Sequence, residues 1–115
     1  IECRINAENP YKNFIPSPGK ISSYFPPGGF GVRIDAAAYP GCTISPSYDS
    51  MIGKVIVHGE TREEAIMRMK RALDEFILEG IHTTIPFHLN LFGHKDFIRG
   101  EYDTNFLEEV DIMRT

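Results

Sequence analysis

Residues 61–80 read TREEAIMRMKRALDEFILEG, and they divide the chain into two unlike halves. Thr61, with Glu64 three residues on, has the form of a capping box, and Glu63 and Glu64 favour the positive end of a helix dipole. Ile66, Met69, Leu73, Phe76 and Ile77 recur at helical spacing as one apolar stripe. Arg68, Lys70, Arg71, Asp74 and Glu75 take much of the remaining surface. Gly80 suits the position just past a helix end, so the pattern predicts a helix over 62–79.

Before this stretch the chain is punctuated by turn residues: Asn9-Pro10, Pro16-Ser17-Pro18-Gly19, Pro26-Pro27-Gly28-Gly29, Pro40-Gly41 and Ser45-Pro46. Between them lie short β-type runs at 1–8, 19–25, 30–35 and 54–58, the spacing of an antiparallel β half. Pro26 to Gly29 reads as a hairpin turn, proline presetting φ and glycine supplying a positive one. After it, Thr84 and Pro86 signal a second helix running to about Phe92, and a third short one begins after Asp103 or Thr104, carrying Phe106, Leu107 and Val110. The fold class is therefore α+β: an antiparallel β-rich first half with two or three helices packed on it, one domain over residues 1–115.

Composition bounds the function. The 115 residues suit one domain, and 42% hydrophobic with 24% charged residues excludes disordered and fibrous classes. No run reaches the roughly 18 apolar residues of a membrane helix, and a net charge of −4 argues against a nucleic-acid partner. Cys3 and Cys42 are too few for a disulfide scaffold and read as reduced thiols in the cytoplasm. With no initiating Met and an opening inside a strand pattern, the chain is expected to be a piece of a longer one.

Single residues leave the chemistry open. His58, His82, His88 and His94 form no HxxxH or HExxH pair, so no metal site is expected. Cys3 lies on the apolar phase of the first strand and reads as a core residue. Gly28-Gly29-Phe30-Gly31 lacks the Lys-Ser/Thr ending of a phosphate-binding loop. Arg4 shares the polar phase of that strand with Glu2, Asn6 and Glu8, either as a solvated face or as an anion grip held by carboxylates. Asp49, beside Tyr48, is either a partner for a cation or a turn residue bonding its own backbone.

Taken together, Glu2-Cys3-Arg4-Ile5-Asn6-Ala7-Glu8, Pro16-Ser17-Pro18-Gly19, Pro27-Gly28-Gly29-Phe30-Gly31-Val32-Arg33-Ile34-Asp35 and Tyr48-Asp49-Ser50-Met51-Ile52-Gly53-Lys54 resemble the C-terminal domain of biotin carboxylases. Gly80-Ile81-His82-Thr83-Thr84 and Asn105-Phe106-Leu107 fit the same family in the same order, so the resemblance spans essentially the whole chain. The motifs stand nearest those of the biotin carboxylase component of bacterial acetyl-CoA carboxylase, and pyruvate and propionyl-CoA carboxylases share them.

The resemblance implies an ATP-dependent ligase. Such enzymes use ATP, magnesium or manganese, and bicarbonate to form carboxyphosphate, then carboxylate N1′ of biotin on a carrier protein. Their ATP-grasp portion would precede residue 1, so the fragment alone is expected to hold no cofactor and to be inactive. By the family pattern Arg4 contacts the ureido oxygen of biotin, with Glu2 and Asp49 orienting it. Thr104 and Asn105 fall at the adenine edge, where family members carry Ile-His. Phe30 and Arg33 match residues of a symmetric dimer interface. The implied partners are the ATP-grasp domain, the biotin carboxyl carrier protein, a carboxyltransferase and a second copy of the chain. A rival reading makes the domain a dimerisation or carrier-docking module without a catalytic part.

Overall fold

The computed structural model describes residues 1–46 and 50–114. Among the described residues nine strands and four α-helices follow one another: β1 (Glu2–Asn6), β2 (Glu8–Asn9), β3 (Ile15–Pro16), β4 (Gly19–Lys20), β5 (Ser23–Phe25), β6 (Val32–Ala36), β7 (Thr43–Ile44), β8 (Met51–Val57), α1 (Arg62–Glu75), β9 (Ile77–Glu79), α2 (Ile85–Gly93), α3 (Lys95–Arg99) and α4 (Phe106–Glu109). The α+β class expected from the sequence is borne out.

The central sheet has the order β1-β8-β6, every pair antiparallel. Alternation decides its faces. Cys3, Ile5, Val55 and Val57 point one way into the core, where α1 meets them with Ala65, Ile66, Met69, Ala72 and Leu73. At about 1.5–3 kcal/mol for each large apolar side chain buried, this contact is what holds helix to sheet. Phe76, Ile85 and Phe92 close the same core. The register of β1 on β8 slips between Ile5 and Asn6, a bulge that turns the chain off the sheet toward β2.

Several expected boundaries move, each for a local reason. The run at 19–25 is two strands: β4 pairs β7 and β5 pairs β9, because Ile21 between them is fully buried and exchanges backbone bonds with Cys42 and Gly41. Pro26 to Gly29 is a crossing between sheets and not a hairpin, since β5 and β6 pair with different strands. The strand begun at Phe30 starts at Val32, and the one begun at Lys54 starts at Met51.

The helix expected to reach residue 79 ends at Glu75. Phe76 turns extended, and Ile77–Glu79 pair with β5 instead. Gly80 does adopt a positive φ of 105°, but its reason is a close backbone approach: a Cβ there would collide with the Lys20 carbonyl. The capping box is half formed. The Thr61 hydroxyl accepts the Glu64 amide at 3.1 Å, while the Glu64 carboxylate turns to Arg68. Helix α3 is an addition to the expected elements, although Asp96 in its first turn, Arg99 in its last and Gly100 in the left-handed region just beyond are ordinary end signals. Within α4, Phe106 is buried and Leu107 exposed. Among the described residues no helix is long and apolar enough to cross a membrane.

Candidate functional site

The face of the central sheet turned away from α1 is polar. Pairing sets Arg4 opposite Lys54 and Lys54 opposite Asp35, with Glu2, Ile56 and Arg33 in the adjacent row. Like charges directly opposite each other destabilise a sheet, and Arg4 beside Lys54 is such a pair. The Glu2 carboxylate answers both: its Oε1 lies 3.9 Å from Arg4 Nε and 3.8 Å from Lys54 Nζ. These distances exceed a hydrogen bond, so Glu2 steers the two cations without locking them. Arg4 keeps 70% of its side chain exposed, a guanidinium presented to an incoming anion.

Glu2 and Arg4 are thus brought together as expected, and Asp49 lies outside the described residues. Lys54 joins them without having been singled out. Its place on the phase opposite to Val55 and Val57 was the signal that could have found it.

Arg4 is also held from behind. As the outer strand of its sheet, β1 turns the backbone groups of Arg4 and Asn6 away from β8, and the start of α2 meets them. The Thr84 hydroxyl accepts the Asn6 amide at 3.0 Å and donates to the Arg4 carbonyl at 3.3 Å, while the Thr84 amide donates to the Asn6 carbonyl at 3.1 Å. His88, one turn further on, places Nε2 at 2.8 Å from the same Arg4 carbonyl. Burial pushes the pKa of His88 down, opposed by that hydrogen bond, so the ring is neutral and Nε2 carries the proton. Its Nδ1 is inaccessible and has no partner among the described residues. The sequence marked Thr84 as a helix start, yet its side chain caps nothing on α2.

The remaining expected residues stand apart from Arg4. Phe30 is 91% exposed, with the Arg68 guanidinium 5.9 Å from its ring centroid. Arg68 is in turn bound to the His58 carbonyl and to Glu64. Arg33 forks onto Asp35 at 2.9 and 3.2 Å, and that hydrogen bonding raises its already high pKa. Thr104 and Asn105 are exposed at the start of α4, where the Asn105 amide donates to Asp103 and its side chain makes no cap bond. A cavity of about 630 Å³ between Phe14, Phe87 and residues 107–113 contains neither Arg4 nor Asn105. Among the described residues no group of three or more His, Cys, Asp or Glu side chains could hold a metal ion. Burial drives the Cys3 thiol up to about 12, which removes it as a nucleophile near neutral pH.

The family model of the biotin carboxylase C-terminal domain matches residues 2–109. This chain belongs to that family. The resemblance read from the motifs is therefore borne out. Biotin carboxylase 1 of Bacillus subtilis is 68% identical over 113 residues, 98% of this chain and 25% of that protein. A pyruvate carboxylase subunit of Methanothermobacter thermautotrophicus is 57% identical over 109 residues, 95% of this chain and 22% of that protein. Among solved structures, the dimer of the biotin carboxylase domain of 2-oxoglutarate carboxylase from Hydrogenobacter thermophilus, in complex with MgADP, ADP and bicarbonate, matches with a TM-score of 0.91 at 48% identity. That match covers 94% of this chain and 24% of the other. The chain spans about a quarter of the length of these relatives. A biotin carboxylase C-terminal domain of this form thus occurs in biotin carboxylases and in pyruvate carboxylases.

Proposed function

We propose that this domain is the C-terminal, biotin-facing part of a longer ATP-dependent biotin carboxylase, with an ATP-grasp domain earlier in the same chain. The observation that carries the reading is Arg4: an exposed guanidinium on a rigid sheet, steered by Glu2 and pinned through its own backbone. Deprotonating biotin at N1′ places negative charge on the ureido oxygen, and a guanidinium already fixed in place stabilises that charge as it develops. Lys54 adds positive potential on the same face, and Asp49 is proposed to help orient Arg4.

The other assignments follow from the family. ATP, with magnesium or manganese, is bound by the rest of the parent enzyme, and Thr104 and Asn105 lie along the adenine edge. Biotin arrives on a carrier protein, and a carboxyltransferase takes the carboxyl group onward. We place the enzyme in the cytoplasm, in the first half-reaction of acetyl-CoA carboxylase and so in fatty-acid synthesis. A pyruvate or propionyl-CoA carboxylase is the alternative. Phe30 and Arg33 are proposed as contacts of a homodimer.

Bicarbonate-dependent ATP cleavage with and without biotin, measured on the full-length enzyme, tests the reading. Arg4→Ala is expected to lower the biotin-dependent rate by about 10²–10³ with an unchanged thermal melt. A retained rate would make the domain an assembly module, a role favoured by the exposed Phe30 ring. Phe30→Ala and Arg33→Glu would then do the larger damage.

A further inference from the structure

We infer that Thr84 and His88 are positioning residues for Arg4, acting on its main chain from the outer edge of β1. The inference rests on the proposed role of Arg4 and extends it to two residues of another element.

The geometry is that of a substitute strand. An edge strand normally leaves alternate amides and carbonyls to water. In β1 the outward carbonyl of Arg4 and both outward groups of Asn6 are instead bonded by one threonine and one histidine. The threonine hydroxyl has one proton and uses it on Arg4 while accepting from Asn6, so its single donor and its acceptor are both engaged at β1. These bonds fall on the two sides of the bulge between Ile5 and Asn6, the point at which β1 loses its regular pairing with β8. Without them the main chain of the strand is bonded to β8 alone, and Arg4 sits within two residues of the weak point.

A second observation separates this arrangement from ordinary packing. A neutral imidazole at 88 satisfies the Arg4 carbonyl with Nε2 and leaves Nδ1 buried without a partner among the described residues. An apolar side chain would avoid that unmet acceptor. What a leucine or phenylalanine could not supply is the N–H aimed at Arg4. Since a misplacement of about 1 Å can cost 10²-fold in rate, a device that fixes the Cα of a charge-stabilising residue has a use.

The test pairs substitutions that keep or remove the donor. In the full-length enzyme, His88→Phe keeps a ring against Phe87 and loses the N–H, whereas His88→Gln keeps an N–H donor. Thr84→Val and Thr84→Ser form the matching pair and stand in should His88→Phe fail to fold. His88→Phe and Thr84→Val are expected to lower kcat for biotin carboxylation about tenfold while leaving KM for ATP unchanged, with Gln and Ser restoring most of it. In an Arg4→Ala background the same substitutions are expected to add nothing, because they act through that side chain. Equal losses with and without Arg4, or a fall confined to the melting temperature, would overturn the inference. If Arg4→Ala is itself harmless, the reading of Arg4 fails. If Arg4→Ala is damaging and the donor-less variants are not, only the clamp fails.

Discussion

β1 and β6 are the two outer strands of one sheet, both five residues long, both antiparallel to β8, and each carries an arginine facing the same side. Their outer edges differ. Along β1 the backbone is met by Thr84 and His88, and its inward residues Cys3 and Ile5 are buried. Along β6 no other element bonds to the outer edge among the described residues, Val32 and Ile34 are only half buried, and Phe30 is exposed just before it. One edge is closed by the chain itself and the other is open to a partner. A closed edge suits a residue whose position must not vary. An open one suits a surface completed by a second molecule.

The widest separation between the two edges is expected in activity. Arg4→Ala should lower biotin-dependent turnover by about 10²–10³, whereas Arg33→Ala should spare turnover and weaken self-association, read by sedimentation of the same two proteins. Next in size is local stability. Thr84→Val should cost about 1–3 kcal/mol, because the Asn6 amide loses its acceptor and the Arg4 carbonyl a donor. Faster hydrogen exchange at Asn6, with Ile34 in β6 unchanged, would show that the loss is confined to the closed edge.

A pH effect of smaller size belongs to the same edge. The folded domain holds His88 neutral, its pKa pushed below the ordinary 6.5 by burial, while the unfolded chain takes up a proton near that value. Unfolding therefore absorbs a proton below pH 6.5, and stability should be full above it and decline as the pH falls. His88→Gln should flatten that decline in thermal melts across the window. Smallest of all, Asp35→Ala should leave the melt of the domain unchanged, since the Arg33–Asp35 pair is solvated on the open side.

The sequence made some of this legible. Period-two alternation in residues 1–8 separated the core face of β1 from its polar face correctly, and it set Arg4 and Glu2 together on the polar one, while leaving open whether that face was merely solvated. The stripe of α1 was equally plain up to Leu73. It misled beyond that because Phe76 and Ile77 continue the helical register while Phe76 and Leu78 stand two apart as in a strand, and an apolar run that short fits either period. Pairing with β5, a contact over fifty residues, decided for the strand. Thr84 shows the opposite failure. A threonine before a helix reads as a cap, and nothing local reveals that its hydroxyl is engaged by a strand 78 residues away. Side chains that serve a distant backbone leave no periodic trace.

That separation has a consequence for how the domain is made. His88 and the Arg4 carbonyl it holds are 84 positions apart, with β8 between them in sequence. Loops of this length close late, and contacts across them tend to form after local helices and turns. A chain emerging from the ribosome in order exposes β1 before the rest of this domain, waits for residues 51–57 to give it one neighbour, and acquires the other only when α2 has followed. The residue proposed to meet biotin would thus be among the last to be seated, so a synthesis halted before residue 88 would leave a stable-looking helix and an arginine without an address.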